Sequence, residues 1–375
     1  MKNHIPIVNP DVPLYSHLHK DIQKVIDSKQ LTKGIYLEKL EKSIREYCGV
    51  RYAIGVSNCT LGLMLVLRCL QLKGEVIIPS FTFIATAEAL LWNGLKPVFV
   101  DIDEDTLNID HKKIEDAITE KTCAILAVHV FGNPANITTL QKIAKRHTLK
   151  LIYDAAHAFG SIYNNTYIGN FGDAEVFSMS PTKLLIAGEG GIITTNNAVL
   201  AQKLIQARDY GNCGNGLYNV LGLNARLPEV NAIIAYQSIK KLKQAIKQRN
   251  IIAKLYSKQL SIIPGISFQY INENSVSTYK DFSILIDGKQ FGMYRDALKA
   301  ELLAHNIEVR TYFDPPLHKQ PLMAQYPFKS MDLHITEIVS SSIISLPIWS
   351  TMDTHIASKI CSQIQKIYNK VHHAK

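Results

Sequence analysis

Several features are missing from the sequence of 375 residues, and each absence excludes a class of protein. No apolar run approaches the length of a membrane span, and the first residues, MKNHIPIVNP, lack the apolar core of a secretory signal. The six cysteines are scattered without a CxxC pair, which is typical of buried thiols in a reducing compartment and not of a disulfide or zinc framework. We therefore expect a cytoplasmic protein with no metal centre and no membrane segment.

Charged residues make up only 19% of the chain, although the formal net charge is +9. The basic residues are spread along the sequence and are not interleaved with aromatic ones, so the pattern does not favour nucleic-acid binding. A lysine-rich solvated surface is the ordinary explanation of this charge. A small phosphorylated substrate would also suit its sign.

Short β-rich segments alternate with helical patterns over the first part of the chain, up to about residue 240. The strand candidates are residues 52–56, 75–79, 97–101, 123–128, 150–154, 175–178 and 191–195. Helical patterns lie between several of them, for example at 61–72 and 82–94. Because the strand candidates are continuously apolar, the pattern predicts an α/β fold with a mostly parallel, seven-stranded sheet between helices. Ligands of such sheets bind outside the carboxyl ends of the strands.

The composition changes after about residue 245. Helices are predicted in NIIAKLYSKQL and MYRDALKAELLAHN, and strands in DFSILID and VRTYF. A last helix places apolar residues on one stripe from Ile356 to Val371. We therefore expect a large α/β domain over residues 1–245 and a smaller C-terminal α+β domain over residues 246–375.

Two ionisable residues stand where such a sheet would place a ligand. Asp154 ends a buried-type strand in KLIYDAAHAFGS, and it needs either a helix to cap or a cationic partner. Lys183 follows one strand later in FSMSPTKLLIAGEGG, before a glycine-rich turn. A lysine that loses charge through burial becomes a nucleophile. This pair suggests pyridoxal phosphate, with the lysine bonded to the cofactor and the aspartate paired with its pyridinium nitrogen.

The phosphate of such a cofactor needs hydrogen-bond donors. The segment VSNCTLGLMLVL places Ser57, Asn58 and Thr60 before an apolar helix, whose N-terminus would form an anion site. Ordinary helix capping explains these polar residues equally well. Ser178 would add a hydroxyl group, and Phe83 would either cover the pyridine ring or belong to the core.

Five segments together resemble the DegT/DnrJ/StrS sugar aminotransferases, which are pyridoxal phosphate enzymes of fold type I. The segments are SNCTLGL, PSFTFIATAEALLWNGLKPVFVDID, HVFGNPAN, DAAHAFGS and FSMSPTKLLIAGEGG. A sixth segment, LGLNARLPEVNAIIAYQSIKKL, is similar to the dimer-contact stretch of that family. The resemblance runs from about residue 5 to the end of the chain.

The resemblance implies roles for individual residues. Lys183 matches the lysine that carries the cofactor, Asp154 its pyridinium partner, and His157 a neighbour of its phenolic oxygen; these three would be the catalytic residues. Asn224 matches an asparagine that reaches the phosphate of the other subunit, so the active site would be shared across a homodimer. The implied cofactor contacts are Ser57, Cys59, Thr60, Leu61, Phe83, Asp154, His157, Ser178, Lys183 and Asn224.

One position departs from the family. Many relatives read Ser-Gly-Thr where this chain has Asn58-Cys59-Thr60. Glycine permits close backbone approach. We expect Cys59 to donate its backbone N–H while its side chain points away from the cofactor. A catalytic thiol is not favoured, because nothing nearby in the sequence would activate it.

The function implied by the resemblance is transfer of an amino group from L-glutamate to a nucleotide-linked keto sugar. The RTYF motif at 310–313 resembles enzymes that act at carbon 4 of a dTDP-4-keto-6-deoxyhexose. Action at carbon 3 of a dTDP-3-keto-6-deoxyhexose stays open. A pyridoxal phosphate-dependent sugar dehydratase or a silent regulatory homologue is also open, although Lys183 argues against the first and Lys183 with Asp154 against the second.

Four residues are candidate substrate contacts. They are Arg226, Arg310, Tyr312 and His318. For Arg226 the alternative is an ion pair with Glu229, and for the other three it is a structural place in a strand or loop.

Overall fold

The computed structural model describes residues 4–373, and strands account for the centre of the molecule. The strands are β1 (Tyr52–Val56), β2 (Glu75–Pro79), β3 (Lys96–Val100), β4 (Thr122–Val128), β5 (Lys150–Asp154), β6 (Ile162–Tyr163), β7 (Thr166–Tyr167), β8 (Ala174–Ser178), β9 (Gly191–Thr195), β10 (Asn212–Gly214), β11 (Leu217–Tyr218), β12 (Ile266–Phe268), β13 (Ser275–Val276), β14 (Phe282–Ile286), β15 (Lys329–Ser330) and β16 (Ile343–Leu346).

Helices surround these strands. They are α1 (Tyr15–Ser28), α2 (Ile35–Cys48), α3 (Cys59–Cys69), α4 (Ile84–Leu91), α5 (Ile114–Ala117), α6 (Ile137–Arg146), α7 (Ala198–Ala207), α8 (Glu229–Ser238), α9 (Leu242–Leu260), α10 (Gly288–Phe291), α11 (Arg295–Ala304), α12 (His334–Ser342) and α13 (Thr354–His373). Within the described residues, none of these helices is both long and apolar enough to span a membrane.

The main sheet has the strand order β1-β9-β8-β5-β4-β2-β3-β15. Strand β9 runs antiparallel to both of its neighbours, and the other pairs are parallel. All seven predicted strands are present, which confirms the α/β class. The sheet has eight strands rather than seven, because Lys329–Ser330 adds a short edge strand beside β3. Two polar residues carry no apolar periodicity, so this strand has no sequence signal.

Both faces of this sheet are buried, which explains its continuously apolar strands. Ile125 and Leu151 belong to the apolar layer that packs on α2, α6 and α8. Leu126 and Ile152 point to the opposite layer, which packs on α3, α4 and α7. Successive strand residues therefore enter two different cores.

A third apolar cluster lies in the C-terminal part of the chain. It surrounds the antiparallel sheet β12-β14-β16 and contains residues of α9, α11 and α13, such as Tyr256, Leu298 and Ile360. The predicted helices and the strand in DFSILID are confirmed here. Helix α9 runs through residue 245 without interruption, and the division of the chain into domains at that point stays a prediction.

The strand predicted for VRTYF is wrong. Arg310 forms only an isolated bridge to Ser345, and residues 311–313 leave the sheet. Phe313 packs its ring edge-on against Phe81 at 5.3 Å between centroids. Two prolines follow at 315–316, and proline cannot donate to a strand ladder. The segment therefore serves as a loop beside the carboxyl ends of the main sheet.

Candidate active site

A cavity of about 300 Å³ lies outside the carboxyl ends of the main-sheet strands. Nine of the residues predicted from the sequence line it, namely Asn58, Cys59, Thr60, Phe83, Asp154, His157, Ser178, Lys183 and Tyr312. They come from the ends of β5 and β8, from the loops and helices that follow strands, and from the loop at 311–313. The fold thus brings together residues that lie as far as about 250 positions apart in the sequence.

Asp154 is the buried acid of the cavity, with 5% of its surface exposed. Its Oδ2 accepts a hydrogen bond from the Thr86 hydroxyl at 2.8 Å, and its Oδ1 accepts one from the Ala156 N–H at 3.1 Å. Burial raises the pKa of Asp154, while the bonds from Thr86 and Ala156 oppose this shift. A carboxylate held in this way favours a cationic partner, such as a protonated ring nitrogen.

Lys183 lies on a loop that folds back on itself between β8 and β9. The loop is closed by the Met179 N–H, which donates to the Gly190 carbonyl, and by the Ala187 N–H, which donates to the Met179 carbonyl. Gly188 has a φ of +84°, which few other residues adopt readily. Burial, followed by the nearby charge of Lys280, lowers the pKa of Lys183 to about 8. A substantial neutral fraction near physiological pH makes this amine a nucleophile and a base.

His157 lies in an aromatic stack beside the cavity. Its ring is nearly parallel to those of Phe131 and Phe313, at interplanar angles of 9°. The Phe131 N–H donates to Nδ1 at 3.3 Å, so in the neutral ring the proton is on Nε2. Burial, with smaller contributions from the charges of Lys183 and Lys280, lowers the pKa of His157 well below its usual value. His157 therefore offers a neutral N–H donor.

The N-terminus of α3 forms another wall of the cavity. The Asn58 side chain caps this helix by accepting a hydrogen bond from the Leu61 N–H at 2.8 Å. The first N–H groups of a helix have no partner within it, so those of Cys59 and Thr60 are available to an anion. The Cys59 thiol points the other way and donates to the Val176 carbonyl at 3.6 Å. Burial raises the pKa of Cys59 well above its usual value, so the thiol stays protonated.

A glycine of the GEGG turn shapes this wall. A Cβ added to Gly191 would lie 2.6 Å from the Asn58 carbonyl carbon and 2.8 Å from the Cys59 nitrogen. These are backbone atoms, which cannot move aside cheaply. Gly191 therefore permits the start of α3 to approach β9, and this sets the position of the helix N-terminus at the cavity.

Two predicted cofactor contacts lie at the same helix start but do not line the cavity. Leu61 uses its N–H to bond Asn58. Ser57 is the residue before Asn58, and its buried Oγ has no hydrogen-bond partner within residues 4–373. A buried hydroxyl without a partner indicates a missing acceptor, and a phosphate oxygen would supply one.

Asn224 and Arg226 lie outside the cavity of their own chain. Asn224 is exposed, and its Oδ1 accepts a hydrogen bond from Arg226 Nε at 3.1 Å. The predicted ion pair of Arg226 with Glu229 is not formed. Arg226 instead lies 3.4 Å from Asp209, because the Glu229 carboxylate is occupied by backbone N–H groups at the start of α2.

Arg310 and His318 are also placed away from the cavity lining. Arg310 is exposed and pairs with Glu308 at 2.6 Å. His318 lies between Ser80, at 2.7 Å from Nδ1, and Glu337, at 3.2 Å from Nε2. Each of these residues therefore has a structural contact within its own chain, as the alternative interpretation expected. A role in substrate binding stays a prediction.

Three polar residues at or next to the cavity had no functional prediction from the sequence, although the structure gives them contacts that bear on the site. Thr86 orients Asp154, and the neighbours Lys280 and Asp281 form a buried ion pair at the cavity wall. A threonine inside a helical pattern has no signal of its own. The adjacent Lys280 and Asp281 resemble a solvated surface pair in sequence, because their burial is visible only in the fold.

The sequence model of the DegT/DnrJ/EryC1/StrS aminotransferase family matches residues 15–365. The chain belongs to this family. It is therefore a pyridoxal phosphate-dependent sugar aminotransferase, as the resemblance of its motifs implied. The fold agrees with this, because the solved structure of DesI in the presence of its TDP-sugar product superposes with a TM-score of 0.93. That structure is 30% identical in sequence, and the match covers 100% of this chain and 97% of the other.

Two curated relatives of this aminotransferase differ in the position of the amine that their names give. A dTDP-4-amino-4,6-dideoxy-D-glucose transaminase of Escherichia coli is 36% identical, over 95% of this chain and 96% of that protein. A dTDP-3-amino-3,6-dideoxy-alpha-D-galactopyranose transaminase of Aneurinibacillus thermoaerophilus is 33% identical, over 93% and 94% of the two chains. Family membership therefore gives nucleotide-sugar amination as the general activity.

The cavity of the aminotransferase fits pyridoxal phosphate. A primary amine with a lowered pKa, a buried carboxylate and a helix N-terminus surround one space, and the partnerless Ser57 hydroxyl lies at the helix start. These groups match the aldehyde, the ring nitrogen and the phosphate of the cofactor in chemical character. The individual roles of Lys183, Asp154 and the other contacts remain predictions, tested below.

Proposed function

We propose that this aminotransferase moves the amino group of L-glutamate to carbon 4 of a dTDP-linked 4-keto-6-deoxyhexose. The observation that carries the chemistry is the placement of Lys183 and Asp154 in one cavity at the strand ends. The choice of carbon 4 is supported by the RTYF motif and by the 36% identity to the 4-amino-sugar transaminase of Escherichia coli.

In this proposal each residue of the cavity has a different chemical role. Pyridoxal phosphate, when bound, carries the amino group between the two substrates and withdraws electrons from the carbon that loses its proton. Lys183 Nζ holds the cofactor at rest and moves that proton as a base and then as an acid. The Asp154 carboxylate keeps the ring nitrogen protonated, and His157 Nε2 donates toward the phenolic oxygen. Ser178 and the N–H groups of Cys59 and Thr60 hold the phosphate.

A second copy of the chain is part of this proposal. Asn224 and Arg226 are outside the cavity of their own chain, and the Asn224 side chain is exposed. In a homodimer Asn224 would complete the phosphate site of the partner, as the resemblance implies. The active enzyme would then be a dimer with two shared sites.

Action at carbon 3 is the alternative, and one comparison favours it. The 3-amino-sugar transaminase of Aneurinibacillus thermoaerophilus is 33% identical over nearly the whole chain. Sugar 3-dehydratases are among the similar solved structures, at 24–25% identity, which shows a shared fold. Lys183 argues against a dehydratase here, because the resemblance gives dehydratase relatives a histidine at that position.

A substrate panel tests the proposal. The purified enzyme with pyridoxal phosphate and ¹⁵N-labelled L-glutamate is offered a dTDP-4-keto-6-deoxyhexose, a dTDP-3-keto-6-deoxyhexose and a GDP-linked 4-keto sugar. Two-dimensional NMR then locates the labelled nitrogen in each product. We expect ¹⁵N at carbon 4 of the first substrate. Nitrogen at carbon 3, or loss of a hydroxyl group without nitrogen transfer, would overturn the proposal.

A further inference from the structure

A buried ion pair, Lys280 with Asp281, also lines the cavity. Lys280 Nζ lies 2.8 Å from Asp281 Oδ1 and 3.0 Å from Oδ2, and each of the two residues is only 4% exposed. Lys280 Nζ also lies 5.3 Å from the centre of the Tyr312 ring. Burial of two charges is expensive even when they are paired, so a pair at a ligand cavity requires an explanation beyond stability.

The pair is held rigidly by its backbone. The Lys280 N–H donates to the Phe131 carbonyl at 2.9 Å. The buried Arg249 donates to the carbonyls of Tyr279 and Lys280, at 2.9 and 3.1 Å. An ammonium group has three donors, and among the described residues the two hydrogen bonds of Lys280 Nζ both go to the Asp281 carboxylate. One donor therefore remains for a ligand.

The charged residues that line the cavity limit which ligands it can bind. Among the described residues that line it, the lysines are Lys183 and Lys280, and there is no arginine. The acids are Asp154 and Asp281, with the exposed Glu189 at the edge. If Lys183 and Asp154 serve the cofactor, the Lys280–Asp281 pair is left to face the substrates.

The two substrates of the proposed reaction occupy the same cavity in turn, but they differ in charge. L-Glutamate brings two carboxylates, whereas the sugar ring that follows it is neutral. A single fixed cation would favour the amino acid and leave a buried charge unpaired under the sugar. An ion pair avoids this, because a carboxylate ligand bonds to the lysine while sugar hydroxyls bond to both partners.

We propose that Lys280 binds a carboxylate of the amino donor, and that Asp281 neutralises Lys280 when the neutral sugar occupies the same space. This rests on the proposed function, namely that a dicarboxylic amino acid and a neutral sugar ring react in turn at this site. Lys280 and Asp281 are then the residues that let one cavity accept both substrates.

The two half-reactions test the pair separately. Rapid mixing of the holoenzyme with L-glutamate follows the first, and mixing of the aminated enzyme with the keto sugar follows the second. Lys280→Met should raise the half-saturating glutamate concentration about 10- to 100-fold, the range expected for a lost charge-assisted hydrogen bond. The half-saturating sugar concentration should rise less, about threefold, because the sugar loses a hydroxyl contact to Lys280 while Asp281 still accepts from its hydroxyl groups. Lys289→Met, an exposed lysine outside the cavity, is the matched control and should change neither.

Asp281→Asn should have the opposite pattern. It leaves Lys280 charged and unpaired, so glutamate should bind more tightly and the sugar more weakly, each by about 10-fold. Lys280→Arg keeps the charge and should retain most of the glutamate affinity. The double variant Lys280→Met/Asp281→Asn carries no buried charge at this place, so it serves where a single variant fails to fold. In the double variant, glutamate binding should be weakened by the same factor as in Lys280→Met.

Calorimetry with glutarate gives a readout independent of turnover, because glutarate has both carboxylates but no amino group. Glutarate should bind the wild-type holoenzyme and lose at least about 10-fold in affinity in Lys280→Met. Unchanged glutarate and glutamate affinity in that variant and in the double variant would overturn the inference. Equal weakening of glutamate and sugar would also overturn it. A wild-type enzyme that reacts with neither substrate would instead contradict the proposed function.

Discussion

Thr86 is the residue through which the fold controls Asp154. Its hydroxyl has one proton and donates it to Asp154 Oδ2 at 2.8 Å, while the Thr82 hydroxyl lies 3.1 Å away as a donor to Thr86. Burial raises the pKa of Asp154, and the Thr86 bond is the largest of the effects that lower it. Thr86 is therefore a positioning residue for the carboxylate.

Thr86→Val should lower turnover and shift its pH dependence. Loss of the hydroxyl raises the pKa of Asp154 further, and the ionised form is the active one, so the acidic limb of the pH–rate profile should move to higher pH. We expect a loss of about 5- to 10-fold in kcat near neutral pH, which corresponds to about 1–1.4 kcal/mol. Thr86→Ser keeps the hydroxyl and should restore both values. An unmoved acidic limb in Thr86→Val would show that Thr86 has only a packing role.

Single residues with strong chemical character can be predicted from the sequence, whereas the residues that they contact cannot. Asp154 and Lys183 stand at strand ends, and the topology of a parallel sheet brings strand ends together. Lys280 and Asp281 lie about 100 positions after Lys183, directly before β14. No local pattern distinguishes a buried lysine–aspartate pair from an exposed one, so only the fold shows it.

Helix α3 and strand β9 meet at Gly191, and this contact sets the candidate phosphate site. Gly191→Ala places a methyl group less than 3 Å from backbone atoms of Asn58 and Cys59. The start of α3 must shift, and overpacking of this kind costs about 1–3 kcal/mol. We expect cofactor affinity to fall about 10-fold or more, measured by titration of the apoenzyme with pyridoxal phosphate.

Gly190→Ala is the control for this substitution. Its methyl group would meet side-chain atoms, the nearest being the flexible end of Met179 at 2.8 Å. The loss of cofactor affinity should therefore be smaller. Equal losses in the two variants would mean that the whole turn, and not the approach of Gly191 to α3, determines cofactor binding.

Helix α2 begins on a carboxylate supplied by another helix. The buried Glu229 of α8 accepts hydrogen bonds from the N–H groups of Gly34, Tyr36 and Leu37 at 2.8–3.0 Å. These are orphan donors at a positive helix end. Glu229→Gln should lower the free energy of unfolding by about 2–3 kcal/mol in denaturant titrations. Glu38→Gln, on the exposed side of the same first turn, should cost less than about 0.5 kcal/mol; an equal cost would contradict this account.

Helices and strands could be predicted from the sequence where they bury enough apolar surface to leave a clear hydrophobic pattern. The seven long strands are buried on both faces and were found from their apolar runs. Strand β15 consists of two exposed residues and was invisible. The strand predicted for VRTYF had suitable residue types, but Phe313 packs on Phe81 and not in a pleated sheet. The β-favouring residue types of this segment predicted a strand, but its aromatic residues line the cavity instead.

The whole molecule is expected to work as a homodimer, and mixing of inactive variants tests this. Lys183→Ala lacks the proposed cofactor lysine, and Asn224→Ala lacks the proposed contact to the partner subunit. In a mixed dimer with shared sites, one site carries both defects and the other carries neither. Activity should therefore reappear after the two proteins exchange subunits, up to about half of the wild-type value per mixed dimer. Exchange verified by mass spectrometry without any recovery of activity would exclude a shared site.

The proposed cofactor lysine, Lys183, shares its cavity with a second lysine, Lys280. Borohydride reduction of the holoenzyme fixes pyridoxal phosphate to the lysine that carries it, and peptide mass spectrometry then locates the adduct. We expect a pyridoxyl phosphate adduct on Lys183 and none on Lys280, and we expect the adduct to be lost when L-glutamate is added before reduction. An adduct on Lys280, or on any lysine other than Lys183, would contradict it.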